Sequence, residues 1–197
     1  ALLLAAGEFA RTMVHPRAEA HAVERIATLR YQFPYMEAGS GRPDTPVVAA
    51  ATVQSAVHSA NELAPDLPLL AGGKSFGGRM TSTAASRVQL PGVHGLVFLG
   101  FPLHPAKQPA TSRADHLDLV SVPMLFLQGT RDELADLALI RGVVTRLRPR
   151  ATMLEIDQAN HAFEVPKRTG KTRANVITDL ARATAEWSTR LGQTHGG

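Results

Sequence analysis

The sequence predicts an α/β protein: a mostly parallel sheet of about six strands flanked by helices. Three observations carry that expectation. Short apolar runs alternate with longer amphipathic stretches along the whole chain, which is the pattern of repeated βα units. Runs such as Leu96-Val97-Phe98-Leu99 and Met124-Leu125-Phe126-Leu127 are apolar at every position, as in strands buried on both faces. The chain has 197 residues, 44% hydrophobic and 19% charged, enough to bury a sizeable core and too apolar for disorder. It carries no internal repeat and no linker long enough to divide it, so a single domain over 1–197 is expected.

The elements follow in order. Ala1–Ala6 is a strand candidate, Pro16–Arg25 a short helix, and Ile26–Phe33 a second strand stopped by Pro34. Tyr35–Pro43 reads as a Gly/Pro loop. Thr45-Pro46 then supplies an N-cap followed by Pro at the first helical position. Ala49, Val53, Ala56, Ala60 and Leu63 follow at three- and four-residue steps and form one helix face. Leu67–Gly72 is a third strand and Ser75–Ala85 the next helix. Gly95–Leu99, Val122–Gln128 and Ala151–Ile156 complete the strands. Leu134, Leu137, Ile140, Val144 and Leu147 make another helix face, and Val176, Leu180, Ala183, Trp187 and Leu191 the last. His104–Leu117 is the least regular stretch, a lid or an edge excursion.

Composition excludes several classes. The chain has no cysteine, which removes a disulfide scaffold, a thiolate metal site and a cysteine nucleophile. It fits a reducing compartment, and a cytoplasmic location is the expectation. The net charge of +4 is mildly basic, with clusters at Arg141–Arg150 and Lys167–Arg173. No aromatic ladder is interleaved with them, so they read as solvated faces and not as a nucleic-acid surface. No apolar run approaches a membrane span of ~20 residues. The opening Ala1–Gly7 resembles part of a signal peptide, but no basic stretch precedes it and Glu8 follows at once. It reads better as a buried strand. The chain opens on alanine and not methionine, so a processed or incomplete N-terminus is expected.

The strongest local signal is Gly72-Gly73-Lys74-Ser75-Phe76-Gly77-Gly78. It contains G-x-S-x-G between a buried strand and a helix. A nucleophile elbow forces its serine into a strained turn, so small residues must flank it, here Gly73 and Gly77. No phosphate-loop pattern G-x-x-x-x-G-K-[ST] is present. A nucleophilic serine needs a base, and the base an orienting acid. Asp132 lies just past the fifth predicted strand. Of the eight histidines, His161 is the one that immediately follows the sixth. Both therefore fall on the carboxyl edge of the sheet, with Ser75, where open α/β sheets place their sites. Glu133 and Asp157 are alternative acids. No metal-ligand spacing such as H-E-x-x-H appears, so neither a catalytic metal nor another cofactor is expected.

A tetrahedral intermediate needs two N–H donors. One should be the amide of Phe76, the residue after the nucleophile. The other should come from the loop after the first strand, with Glu8 first and Phe9 second. The Glu8 carboxylate must point away from the developing oxyanion. Phe9, His104 and Phe163 are candidates for the substrate pocket, His104 alternatively for a loop-fixing hydrogen bond.

These motifs resemble the α/β-hydrolases. More narrowly, the chain is similar to small bacterial predicted hydrolases of the dienelactone-hydrolase-like type, relatives of the testis-expressed α/β-hydrolase-like proteins. The carrying segments are Phe33–Gly39, Gly72–Met80, Phe101–Pro105, Leu127–Asp132 and His161–Arg168. The resemblance implies an α/β-hydrolase fold and Ser75, Asp132 and His161 as its triad. Three departures stand beside it. The family usually has His-Gly at the oxyanion loop, where this chain has Ala6-Gly7. Dienelactone hydrolases proper use cysteine, where this chain has Ser75. One or two strands that usually open the family's sheet are missing.

The function expected is a serine hydrolase of a small carboxylic ester or thioester acting through an acyl-enzyme. The alternative is a non-catalytic binding or scaffold protein on the same fold, suggested by the altered Ala6-Gly7-Glu8 loop and the basic patches. A bare sheet edge at the N-terminal strands would invite pairing with a second copy.

Overall fold

A computed structural model describes residues 1–6 and 14–194. Its centre is a six-stranded, all-parallel sheet in the order β2-β1-β3-β4-β5-β6. The strands are β1 (Leu2–Ala6), β2 (Ala27–Tyr31), β3 (Leu69–Lys74), β4 (Val93–Leu99), β5 (Met124–Gly129) and β6 (Ala151–Ile156). The helices are α1 (Val14–Val23), α2 (Pro34–Glu37), α3 (Pro46–Leu63), α4 (Phe76–Arg87), α5 (Leu137–Arg146) and α6 (Arg173–Thr194). The sheet runs outward from β1 in both directions, to β2 on one side and β3 on the other. The switch in strand order therefore lies beside β3, the strand that delivers the serine.

The uninterrupted apolar runs have a direct cause. Successive side chains of a strand face opposite sides of the sheet. In β4, Leu96 and Phe98 join one core with α3, α4 and α5, while Val97 and Leu99 join a second core with α6. Met124 and Phe126 of β5 face the first core, and Leu125 and Leu127 the second. The first core is anchored by aromatic edges: Phe98 lies 4.7 Å from Phe126 and 5.3 Å from Phe101 between ring centroids. The second is anchored by Trp187, which packs against the bare backbone of Gly95, where a Cβ would come within 2.6 Å of the indole.

Local signals behave as the sequence leads one to expect, with instructive differences. Thr45 caps α3 by accepting a hydrogen bond from the Val48 amide, with Pro46 next. The second strand is shorter than the apolar run Ile26–Phe33. Phe33 leaves the ladder as the N-cap of α2, a single helical turn that starts at Pro34 and takes up the first residues of the predicted 35–43 loop. Leu134 precedes α5 instead of lying on its face. The irregular stretch 104–117 is a packed crossover that leads into a 3-10 segment (Ser112–Leu119). Leu103, Ala114 and Leu117 are buried in the first core. Its end is therefore tied down by burial, while residues 105–110 are exposed. Among the described residues, no helix is long and apolar enough to cross a membrane.

Phe98 joins the sheet to α4 and to both neighbouring rings. Phe98→Ala should lower the unfolding free energy by roughly 3–5 kcal/mol in denaturant titrations. A loss under about 1 kcal/mol would mean the ring is not packed as described.

Candidate active site

Three strand ends build the site. β3 ends at Lys74, and Ser75 turns the chain directly into α4. Its backbone sits at φ 51°, ψ −118°, a region that a side-chain-bearing residue adopts only when its surroundings enforce it. The enforcement is visible. The Ser75 amide donates to the Leu99 carbonyl of β4 at 3.2 Å, and its own carbonyl accepts from the Arg79 amide at 3.1 Å. The first turn of α4 lies close on β3 because Gly78 has no side chain, and a Cβ there would come within 2.7 Å of the Gly73 carbonyl. Gly72 serves the same end against β4, where a Cβ would collide with the Val97 carbonyl.

The loops after β5 and β6 are fastened to each other. The Arg131 amide donates to the Ala159 carbonyl at 2.9 Å, and the Gln158 amide to the Thr130 hydroxyl at 2.8 Å. Asn160 shapes the second loop by accepting from the amides of Ala162 and Glu164. This pairing brings His161 over Asp132. His161 Nδ1 lies 2.7 Å from Asp132 Oδ2, and His161 Nε2 lies 2.9 Å from Ser75 Oγ. The three side chains form one hydrogen-bonded line. The Asp132 side chain is fully buried, and that of His161 is 16% exposed. The proximal end is thus dry and the serine end open.

Buried carboxylates need donors. Asp132 Oδ1 accepts from the Leu134 amide at 2.8 Å, and Oδ2 accepts from Gln128 Nε2 at 2.6 Å as well as facing His161. Gln128 is itself fully buried, and its Oε1 accepts from the Phe101 amide at 3.0 Å. It is the positioning residue that sequence reading passed over. The available signal was a lone amide ending the otherwise apolar run Met124–Leu127. Lys74 was also passed over. It is buried, with its ammonium 5.8 Å from the Phe163 ring centroid. Gly100 (φ 70°) leaves the space they share, since a Cβ there would lie 3.3 Å from Lys74 Nζ, 3.4 Å from His161 Nδ1 and 3.5 Å from Asp132 Oδ2.

The other candidate residues distribute unevenly. Phe76 is the first residue of α4, so its amide is among those that helix geometry leaves without an intrahelical acceptor. Its ring packs edge-on to Phe33 and Tyr35, at 5.3 and 5.8 Å. Glu8 and Phe9 lie outside the described residues. His104 is buried, with Nδ1 at 2.8 Å from the Pro105 carbonyl and Nε2 accepting from the Asp136 amide at 2.7 Å. Both ring nitrogens serve backbone groups, the loop-fixing arrangement and not a pocket-facing one. Phe163, at φ 62°, turns into the second core and is 1% exposed. It is a floor beneath the loop, not an open pocket wall. Glu133 and Asp157 are exposed and lie off the imidazole line. Among the described residues, no group of three or more metal-ligating side chains is assembled.

A second serine–histidine contact has a different character. Ser82 Oγ lies 2.8 Å from His116 Nε2, but Ser82 is fully buried and its hydroxyl donates to the Arg79 carbonyl at 2.9 Å. Burial and the charge of Arg79, with a smaller push from Arg87 and an opposing one from Asp115, hold His116 below the ordinary histidine range. With the Ser82 hydroxyl committed to the Arg79 carbonyl, this contact fastens the crossover to α4.

Gln128→Leu removes one donor to Asp132 and strands the Phe101 amide. Each orphaned group costs about 1–3 kcal/mol, so the variant should unfold at clearly lower denaturant. An unchanged midpoint would show that the amide carries neither bond.

Residues 2–189 match the family model described as an alpha/beta hydrolase domain. Solved structures with similar architecture include a lid-less α/β serine hydrolase from Xanthomonas campestris (TM-score 0.70, 19% identity, covering 94% of this chain and 82% of that one). A dienelactone hydrolase from Anabaena variabilis gives a TM-score of 0.69 at 19% identity, covering 96% and 85%. The esterase domain of a Rhodothermus marinus protein gives 0.69 at 15% identity, covering 96% and 86%.

Proposed function

The chain belongs to the α/β-hydrolase domain family, and on that premise we propose that it is a serine hydrolase acting on a small carboxylic ester or thioester. The supporting observation is the unbroken line from Ser75 Oγ to His161 Nε2 and from His161 Nδ1 to Asp132 Oδ2, at 2.9 and 2.7 Å. In this reading Ser75 Oγ attacks the substrate carbonyl carbon while His161 Nε2 takes its proton. The buried Asp132 carboxylate holds the ring with Nδ1–H toward itself and stabilises the imidazolium. The tetrahedral oxyanion is received by the Phe76 amide and by the amide of Glu8. The intermediate collapses by breaking the bond to the alcohol or thiol, which leaves with the proton from His161. Water then attacks the acyl-serine, gives its proton to His161, and Ser75 departs with that proton restored.

Each part has a physical role in that scheme. The strain at Ser75 lifts the hydroxyl to the edge of the sheet, above the helix start whose free N–H groups face the same point. The dry Asp132 strengthens its bond to the imidazole. The Gln128 bridge tethers the Asp132 carboxylate to the backbone of Phe101 and so restricts its movement beside the imidazole.

With p-nitrophenyl acetate or butyrate as reporter, Ser75→Ala should reduce kcat by at least about 10⁴-fold while leaving the melting temperature within a few degrees. Asp132→Asn should cost about 10⁴-fold through the wrong imidazole tautomer. Retention of turnover by Ser75→Ala would overturn the assignment of Ser75 as nucleophile, whereas absence of turnover by the folded, unaltered protein would favour a non-catalytic binding role on this fold.

A further inference from the structure

Arg79 is an arginine that neither the core nor the hydrogen-bonded line explains. It lies one helical turn after Ser75, and its amide donates to the Ser75 carbonyl. Helical side chains lean toward the N-terminus of their helix, so a side chain at this position covers the turn that carries Ser75 and Phe76. The contact agrees: the guanidinium carbon lies 5.8 Å from the Phe76 ring centroid. Arg79 is half-buried, and its Nε is shielded from solvent with no hydrogen-bond partner. Among the described residues its guanidinium makes no ion pair, and neither does that of Arg113. Arg113 stands in the first turn of the 3-10 segment that packs on α4. Burial first, and the Arg113 charge second, hold the Arg79 guanidinium below the ordinary arginine range. Asp115 acts on the neighbouring His116, while the charge that acts on Arg79 is that of Arg113.

Two like charges side by side, one with a shielded donor left over, are costly unless an anion completes them. A guanidinium fork fits the two oxygens of a carboxylate or a phosphate-type group. We propose that Arg79, supported by Arg113, receives an oxyanion group carried by the ester substrate, so that the preferred substrates are anionic esters. The inference rests on the serine-hydrolase reading and specifies its substrate class. The Phe76 ring, 5.8 Å from the guanidinium carbon, gives the side chain an aromatic contact beside the residue that follows Ser75. A salt link at this distance along α4 would anchor one end of the substrate while its carbonyl lies at the serine.

The test compares matched esters, each rate divided by that ester's hydroxide-catalysed rate. With the charge on the acyl side, monophenyl adipate is set against phenyl hexanoate. With the charge on the alcohol side, 4-carboxyphenyl and 4-phosphonophenyl butyrate are set against 4-carbamoylphenyl butyrate. These last two separate a carboxylate from a phosphate-like group. The expected result is a kcat/KM ratio favouring the anionic member by at least about tenfold for one placement, the factor of one charge-assisted hydrogen bond. The ratio should fall toward one in Arg79→Gln, part-way in Arg79→Lys and Arg113→Gln, and also on raising salt with the unaltered protein. Ratios near one in the unaltered protein at both placements would overturn the proposal. So would an Arg79→Gln variant that slows both members of a pair equally, which is what a purely structural arginine would do. Failure to turn over any ester, charged or neutral, would remove the hydrolase reading itself and this site with it. Turnover of neutral and charged esters alike would remove only the anion site.

Discussion

The positive-φ turn at Ser75 is the constraint on which the site depends. A serine at φ 51° is held against its own preference, and the structure holds it from three sides. β4 supplies an acceptor at Leu99 for the Ser75 amide. Gly72 and Gly78 let β4 and α4 come closer than any side chain would allow. The Phe98 ring lies against Gly78, where a Cβ would come within 3.2 Å of it, and so sets the spacing between the sheet and α4. Relaxing any of these would let the serine drop to an ordinary backbone conformation and would move its hydroxyl away from His161.

The second requirement is that a buried carboxylate and an imidazole meet that hydroxyl in line. The chain achieves this by fastening the loops after β5 and β6 to each other. Thr130, Arg131, Gln158 and Ala159 make the connection. Gln128 extends it inward, linking Asp132 to the backbone of Phe101 just past β4. Three neighbouring strands thus share one hydrogen-bond network, and its polar atoms are satisfied inside an apolar layer. Such networks are costly when incomplete and rigid when complete.

Much of this was legible in the sequence, and for identifiable reasons. Continuous apolar runs announced strands buried on both faces, and the two-sided distribution of Leu96, Val97, Phe98 and Leu99 bears that out. Ser75, Asp132 and His161 were readable because chain order and strand ends alone set where they fall. Side-chain direction within loops was not readable. Phe163 points inward because of its left-handed backbone, and His104 is spent on Pro105 and Asp136, thirty-two residues away. Gln128 looked like the end of a strand because its partner Asp132 becomes a neighbour only once the turn after β5 forms. Lys74 and Arg79 hid inside a glycine motif that drew attention to the serine between them.

The central claim is that Ser75 is an activated nucleophile, and labelling with a fluorophosphonate probe, mapped by mass spectrometry, tests it most directly. The account predicts one adduct, on Ser75, formed rapidly by the unaltered protein and lost in His161→Ala while the fold persists. No adduct on the folded full-length protein, or an adduct elsewhere that survives Ser75→Ala, would contradict it.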